Sequence, residues 1–279
     1  MAVTLFTASG CTRCKIVKKF MNEHDLAYDE KDIKTEGKTD FQTFYRKYHK
    51  SIFRGPNGVE FPIYFFEGKI RQGLGPVLAY LQGGDALDRF VRTGILHGRW
   101  VDGINVSRGD PVRFKDLLAV LAFLKRNGIK LEVETDGRNP DLLKRLIAEG
   151  MVDRGIMELK GPKGLYSQIL NIEIDPHHIE ETMSLIAGVT EHRFQTTIAP
   201  VLRSDEKWSC LTPEEVGETA AWLAQATGNN KHPYIIRRLA PTDAKGEDLP
   251  DILPLAPKNL FAYRTKARPH QVRTEIEKQ

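Results

Sequence analysis

The sequence predicts an α/β protein in which a small mixed unit precedes a repeat of strands and helices with parallel strand order. The opening stretch "VTLFTASGCTRCKIVKKF" has a β-prone run, a Ser-Gly break and then apolar residues at helical spacing. Further on, "FPIYFFEGKIRQG" predicts two short strands joined by a Glu-Gly turn. From about residue 97, strand-like runs alternate with amphipathic helices, as in βα repeats.

Length and charge limit the class of protein. A chain of 279 residues favours two domains. Its 41 basic and 37 acidic residues are scattered along the chain, so nucleic acid is not predicted as the main partner. Apolar runs stay short of the roughly 20 residues that a membrane span needs, and the sequence leads from its first residues into a strand. We therefore expect a soluble cytoplasmic protein without a membrane partner.

Two of the three cysteines, Cys11 and Cys14, bracket the predicted start of the first helix. The helix dipole and the neighbouring Arg13 favour a thiolate at Cys11, which is the candidate nucleophile. Cys14 is then the candidate resolving thiol. A close pair in a reducing compartment favours redox chemistry. Half of a zinc site and a pair of unrelated structural cysteines remain as alternatives.

The segment between the second strand and Pro62 is rich in basic and aromatic residues. Phe41, Phe44, Tyr45 and Tyr48 recur at helical spacing, so we predict a solvated helix with one packed face. A docking surface for a protein partner is the alternative.

Residues 1 to about 82 resemble a glutaredoxin-like member of the thioredoxin fold. The resemblance implies a cis bond at Phe61-Pro62, opposite the cysteine turn, and a docking edge for a thiol substrate. Ala8 stands where glutathione-binding members usually carry lysine. The loop before the next helix is similar to that of redoxins that serve ribonucleotide reductases, which implies a protein disulfide substrate and a thioredoxin-reductase-type donor, with glutathione as the alternative donor. The substrate-binding candidates are Arg13, Phe61, Pro62, Gly73, Leu74 and Gly75.

The later part of the chain carries six strand candidates, "GINVS", "KLEVET", "GIMELK", "RFQTTIAP", "YIIRRLAP" and "LFAYRTK". Asn139-Pro140 and Thr212-Pro213 predict helix starts, while Asn127-Gly128 and Glu149-Gly150 predict helix ends. Ligands of such a repeat gather at the carboxyl ends of the strands.

Those strand ends resemble the radical S-adenosylmethionine superfamily, in particular the activating enzymes of anaerobic ribonucleotide reductase, over about residues 97–268. Arg108-Gly109-Asp110-Pro111 stands in place of the family's Gly-Gly-Glu-Pro, Thr135-Asp136-Gly137 in place of Thr-Asn-Gly, and Met157-Glu158-Leu159-Lys160 in place of Met-Asp-Ile-Lys. The resemblance implies a partial (βα) barrel. It also implies a remnant cofactor pocket at Gly109, Asp110, Thr135, Asp136, Glu158 and Lys160.

The family's cluster motif, Cys-x-x-x-Cys-x-x-Cys, does not occur in this sequence. We therefore expect no cofactor and no metal, with an iron–sulfur cluster and S-adenosylmethionine as the alternative. Cys210 is predicted to be inert and partly buried. His177-His178 is predicted to be a solvated helix start.

Together these patterns predict a glutaredoxin-like domain at 1–84, a linker at 85–96 and a radical-SAM-like domain at 97–279. The predicted function is thiol–disulfide oxidoreductase, with the second domain as an adaptor toward a radical enzyme such as anaerobic ribonucleotide reductase. The alternatives are an active radical SAM enzyme with an atypical cluster site, and a binding protein that holds a metal or cluster between subunits of a homodimer. The strand at Ile104–Ser107 is expected to be covered by "ALDRFVRTGIL", by the first domain or by a second subunit.

Overall fold

The structure, a computed structural model, describes residues 3–55, 58–93, 100–107, 109–239 and 256–277. The chain forms two compact units, residues 1–133 and 134–279. The domain boundaries proposed from the sequence lie elsewhere and stay predictions. Among the described residues, no helix has the length and apolar character that crossing a membrane requires. Arg108 and part of the predicted linker, 94–96, lie outside the described residues.

The first unit opens with a four-stranded sheet of order β2-β1-β5-β6. Strands β1 and β2 are parallel, while β5 is antiparallel to both β1 and β6. Its elements are β1 (Val3–Thr7), α1 (Thr12–Glu23), β2 (Tyr28–Asp32), α2 (Lys38–Tyr48), β3 (Arg54–Gly55), β4 (Gly58–Val59), β5 (Ile63–Phe66), β6 (Lys69–Gln72) and α3 (Leu74–Gly83). Among the described strands, the short β3 and β4 pair with each other and with no other strand.

The aromatic residues of α2 are part of a core. Phe44 packs at a ring distance of 4.7 Å from Phe6, within a cluster that includes Ile63. Phe41 and Tyr48 are partly buried against the same cluster. The packed-helix interpretation of this segment is therefore confirmed.

The first unit continues with β7 (Trp100–Asn105), α4 (Phe114–Arg126) and β8 (Lys130–Thr135), a strand that runs across the boundary between the units. The segment before β7 folds back along it: Val91 bridges Ile104 in antiparallel fashion, and the Arg92 N–H donates to the Gly103 carbonyl at 2.9 Å. The expected cover is thus confirmed along residues 103–105, where Phe90, Val91 and Arg92 of "ALDRFVRTGIL" supply it.

The second unit holds a sheet of order β14-β13-β10-β9, and every strand pair in it is parallel. Its elements are α5 (Pro140–Ala148), β9 (Arg154–Glu158), α6 (Tyr166–Leu170), α7 (Pro176–Ala187), β10 (Glu191–Ile198), β11 (Pro200–Leu202), β12 (Trp208–Cys210), α8 (Pro213–Thr227), β13 (Tyr234–Arg238), α9 (Leu260–Ala267) and β14 (Thr274–Ile276). The α/β class with a parallel sheet is confirmed.

Helix boundaries in this unit follow the predicted caps. Asn139 precedes α5, and Thr212 closes a capping box with Glu215 at the start of α8. The prediction of a strand at "LFAYRTK" is wrong, because Leu260, Tyr263 and Ala267 are buried on one side of α9. Spacings of three and four residues place these side chains on a single helix face.

Candidate functional site

The cysteine pair lies at the start of α1. Cys11 is the N-cap residue, and its Sγ accepts from the Cys14 N–H at 3.1 Å. A disulfide joins the two residues, whose Cα atoms are 5.3 Å apart, within the usual range for such a bond. Cys14 is buried and Cys11 is half-buried. The Cys11 Sγ lies 4.0 Å from the carbonyl oxygen of Phe61.

The bond between Phe61 and Pro62 is cis, as the resemblance implies. The Pro62 carbonyl accepts from the Gly73 N–H at 2.8 Å. Arg13 forms an ion pair with Glu60 at 3.3 Å, next to this turn. The structure therefore brings the cysteine turn, Arg13 and the cis-proline together.

The other loop candidates of the first unit are less accessible. Leu74 and Gly75 are buried, and a Cβ added to Gly75 would touch Val101. A Cβ at Gly109 would overlap the ring of Phe90, so that position requires glycine for packing.

The Asp110 carboxylate is hydrogen-bonded to the backbone of its own turn. Its Oδ1 accepts from the Val112 N–H at 3.0 Å and so caps a short 3-10 turn. In the described structure this carboxylate therefore has a structural contact of its own.

At the carboxyl end of β8, Thr135 and Asp136 are almost fully buried. The Thr135 Oγ1 accepts from the Gly137 N–H at 3.0 Å. The Asp136 carboxylate accepts from the Arg138 guanidinium, with the Nε at 3.0 Å and the Nη2 at 2.7 Å as its shortest contacts. The Tyr166 hydroxyl donates to the Asp136 carbonyl at 2.8 Å. Burial is the main cause that raises the pKa of Tyr166 well above its ordinary value, so this phenol stays neutral.

At the end of β9, the Glu158 Oε1 accepts from the Thr197 N–H at 2.8 Å. Lys160, two residues on, is half-buried. Thr135 and Asp136, at the end of β8, and Glu158 and Lys160, at the end of β9 and just after it, all lie within the second unit.

Two residues of β10 extend this set and were missed in the sequence. The Arg193 Nε and the Gln195 Oε1 are the buried side-chain polar atoms without a hydrogen-bond partner among the described residues. A signal for them exists: in "RFQTT", polar residues alternate along an interior parallel strand, whereas strands covered on both faces are apolar throughout.

Cys210 lies in β12 and is partly buried. Burial raises the pKa of its thiol, and the nearby Arg203 partly offsets that effect. His177 is exposed and pairs with Glu180 at 3.2 Å, which fits a solvated helix start. Among the described residues, no group of three or more His, Cys, Asp or Glu side chains is placed to hold a metal ion.

The first of two curated relatives is a protein of Methanocaldococcus jannaschii whose name describes a glycyl-radical enzyme activating enzyme. It is 22% identical over 166 residues, 57% of this chain, and the chain spans 63% of its length. The second is the glutaredoxin-like protein NrdH of Lactococcus lactis, 45% identical over 31 residues, which make up 11% of this chain and 43% of that protein. No family model matches the chain.

Two solved structures are similar to this chain, both at a lower sequence identity than the curated relatives. One is a domain of pyruvate-formate lyase-activating enzyme from Bacteroides vulgatus, with 13% identity, a TM-score of 0.43 and coverage of 64% of this chain and all of that one. The other is coproporphyrinogen III oxidase from Escherichia coli, described as a radical SAM enzyme, with 18% identity, a TM-score of 0.41 and coverage of 60% of this chain and 40% of that one.

These comparisons correct two predictions. The thiol–disulfide oxidoreductase function is wrong as the main function, because the match that spans most of the chain is to an activating enzyme and the redoxin match covers only 31 residues. The prediction that no cofactor is expected is wrong for the same reason, since the activating-enzyme class implies an iron–sulfur cluster and S-adenosylmethionine.

Proposed function

We propose that this chain is an activating-enzyme-type protein of the radical S-adenosylmethionine class and that its partner is a radical enzyme such as anaerobic ribonucleotide reductase. The observation that carries the proposal is the 166-residue match to the Methanocaldococcus protein. The parallel sheet of the second unit supports it, because its strand ends carry Asp136, Glu158 and Lys160 where the family's motifs would lie.

We also propose that the N-terminal part, residues 1–84, is a glutaredoxin-like module of the thioredoxin fold, fused through residues 85–96 to the βα segment at 97–279. Its support is the sheet order β2-β1-β5-β6, the cis bond before Pro62 near the cysteine turn, and the NrdH match. In this proposal the module serves the activating protein.

The two implied cofactors fit the described residues differently. A [4Fe–4S] cluster takes thiolate ligands, but Cys11 and Cys14 are bonded to each other and no described side-chain cluster offers three metal ligands. The cluster therefore does not fit the described residues, and no step is derived through it. S-adenosylmethionine fits better, since the unpartnered Arg193 Nε and Gln195 Oε1 are a donor and an acceptor near Glu158.

The test is anaerobic reconstitution of the reduced full chain with iron and sulfide, followed by iron analysis, paramagnetic resonance and a search for 5′-deoxyadenosine after addition of S-adenosylmethionine and a strong reductant. We expect the reduced chain, in which the Cys11 and Cys14 thiolates are freed, to bind iron above the control and to form the cleavage product. The control is Cys11→Ser/Cys14→Ser/Cys210→Ser, which removes every thiolate of the sequence and must load no cluster through cysteine. A wild-type protein that binds iron no better than this control and forms no 5′-deoxyadenosine would refute the proposal.

A further inference from the structure

A cavity of about 280 Å³ lies in the first unit, beside strand β6. Phe53, Pro76 and Val91 form apolar parts of its wall, and Ser51 and Arg92 form polar parts. All of its lining residues fall between positions 51 and 93, so the cavity lies within a single unit. Neither the cysteine pair nor the cis-proline is among them. The cavity is therefore separate from the site on which the proposed function rests.

Strand β6 is the last strand of its sheet, and its outer edge supplies the cavity with a backbone donor. The Gly73 N–H donates to the Pro62 carbonyl, on the side of β5. Backbone groups alternate in direction along an antiparallel strand, so those of Gln72 point to the outer edge. There the Gln72 carbonyl accepts from the Thr93 hydroxyl at 2.9 Å. The Gln72 N–H, on the same edge, has no hydrogen-bond partner among the described residues.

The side chain of Gln72 fixes the wall of this cavity. It is 4% exposed, and its Oε1 accepts from the Phe53 N–H at 2.7 Å. Its Nε2 donates to the carbonyls of Phe53 and Glu60, both at 2.9 Å. These bonds tie the segment before β5 to β6, so the cavity is formed before any ligand binds. Small-molecule sites are usually preformed in this way.

The charges of the wall favour a ligand with a single negative charge. The Arg71 guanidinium donates from its Nε to Asp88 at 2.9 Å and from its Nη2 to Asp85 at 2.7 Å. Two carboxylates therefore offset the charge of Arg71, which also lies over the Tyr80 ring at 4.8 Å. Arg92 adds a second cation to the wall. Because the Asp88 carboxylate is also a lining group, it repels a doubly charged anion more strongly than a singly charged one.

We propose that this cavity binds a small monocarboxylate with an apolar body. The carboxylate accepts from the Gln72 N–H and is attracted by the positive charge of Arg92. The apolar body packs on Phe53, Pro76 and Val91. The volume lies just below the usual range of roughly 300–1,000 Å³ for drug-sized ligands, so the ligand is correspondingly small. This site goes beyond the proposed function and does not depend on it.

The experiment titrates the full chain, labelled with nitrogen-15, with sodium benzoate at pH 7 and follows the amide resonances. The probes for comparison are benzyl alcohol, which keeps the ring and lacks the charge, and inorganic phosphate, which lacks the apolar body. Benzoate is expected to shift the Gln72 amide resonance in a saturable way and to raise the Tm as its concentration rises. Each comparison probe is expected to bind at least about tenfold more weakly, because it loses one of the two kinds of contact.

Two pairs of variants locate the site. Ser51 lines the cavity and is exposed, whereas the neighbouring exposed Lys50 does not line it. Ser51→Trp is expected to abolish benzoate binding by filling the entrance, and Lys50→Trp to leave it unchanged. Arg92→Gln is expected to weaken binding about tenfold through the lost charge. Arg89→Gln, which removes an exposed arginine outside the cavity wall, should have no effect.

The result that overturns the proposal is any one of three. Benzoate does not bind the wild type, inorganic phosphate or benzyl alcohol binds as well as benzoate does, or Ser51→Trp binds benzoate as well as Lys50→Trp does. Thermal unfolding of each variant without benzoate confirms that the titrated protein is folded. None of these results bears on the reconstitution experiment, since the proposed function depends on other residues.

Discussion

The two faces of the second unit's sheet differ in how their buried polar atoms are satisfied. We call the face that carries Met157, Phe194 and Tyr234 the helix face, because a Cβ at Gly155 on this side would meet Ile186 of α7. On this face the Thr196 Oγ1 donates to the Leu159 carbonyl at 2.8 Å and is hydrogen-bonded to the Tyr234 hydroxyl at 2.7 Å. On the opposite side, which carries Arg193, Gln195 and Thr197 and which we call the polar face, the Arg193 Nε and the Gln195 Oε1 are buried without a hydrogen-bond partner in the part of the chain that the structure describes. The same strand, β10, contributes to both faces. The difference indicates that folding satisfies the hydroxyls of Thr196 and Tyr234 on the helix face but leaves two buried atoms of the polar face without a partner among the described residues.

The largest expected effect is on the helix face. Phe194 is fully buried beside His192 and His232. Phe194→Ala is expected to reduce the free energy of unfolding by about 3–5 kcal/mol, because it leaves a cavity in a packed core. Thr197→Ala, on the polar face of the same strand, should change it by less than about 1 kcal/mol. Denaturant unfolding followed by circular dichroism measures both, and equal losses would contradict the distinction between the faces.

A smaller effect should follow removal of one hydroxyl from the helix face. Tyr234 is fully buried, and burial raises the pKa of its phenol, which stays neutral and bonded to Thr196. Tyr234→Phe is expected to cost about 1–2 kcal/mol of unfolding free energy. A double-mutant cycle with Thr196→Val measures the shared bond. Strictly additive losses would show that the two hydroxyls are not coupled.

The smallest effect is a pH dependence on the helix face. The His192 Nε2 and the His232 Nδ1 are 3.1 Å apart, and the other nitrogen of His232 lies 3.0 Å from the Thr227 hydroxyl. Burial, and then the neighbouring His192, lowers the pKa of His232 below its ordinary value of 6.5. Because the folded state then binds a proton less readily than the unfolded state, stability is retained above pH 6.5. It decreases as the pH falls from 6.5 toward the lowered pKa.

Urea unfolding between pH 5 and 8 measures this dependence. His232→Gln is the matched variant, and it should flatten the decline below pH 6.5 while Gln195→Leu leaves it in place. A decline that persists unchanged in His232→Gln would assign it to another group.

Several elements were predictable because their signals are local. The start of α1 at the cysteine pair follows from neighbours in the sequence, as do the proline at the start of α5 and the capping box of α8. The strand prediction for residues 260–267 was wrong. Its aromatic and β-branched residues suggested a strand, although its buried residues follow a helical period. The three-residue strand β14 was missed because its only support is its pairing with β13.

By itself, the sequence determined the α/β class, the order of most strands and helices, and the place of Cys11 and Cys14 at a helix start, since each depends on residues a few positions apart. Only the tertiary structure decided which strand-end groups are already engaged, such as Asp136 with Arg138, and which are not. Whether the Gln195 acceptor finds a partner depends on side chains contributed by β9 and β13, about 40 residues away on either side. Hydrogen-bond satisfaction is a property of those long-range neighbours, whereas helix caps and strand periods are properties of the chain itself.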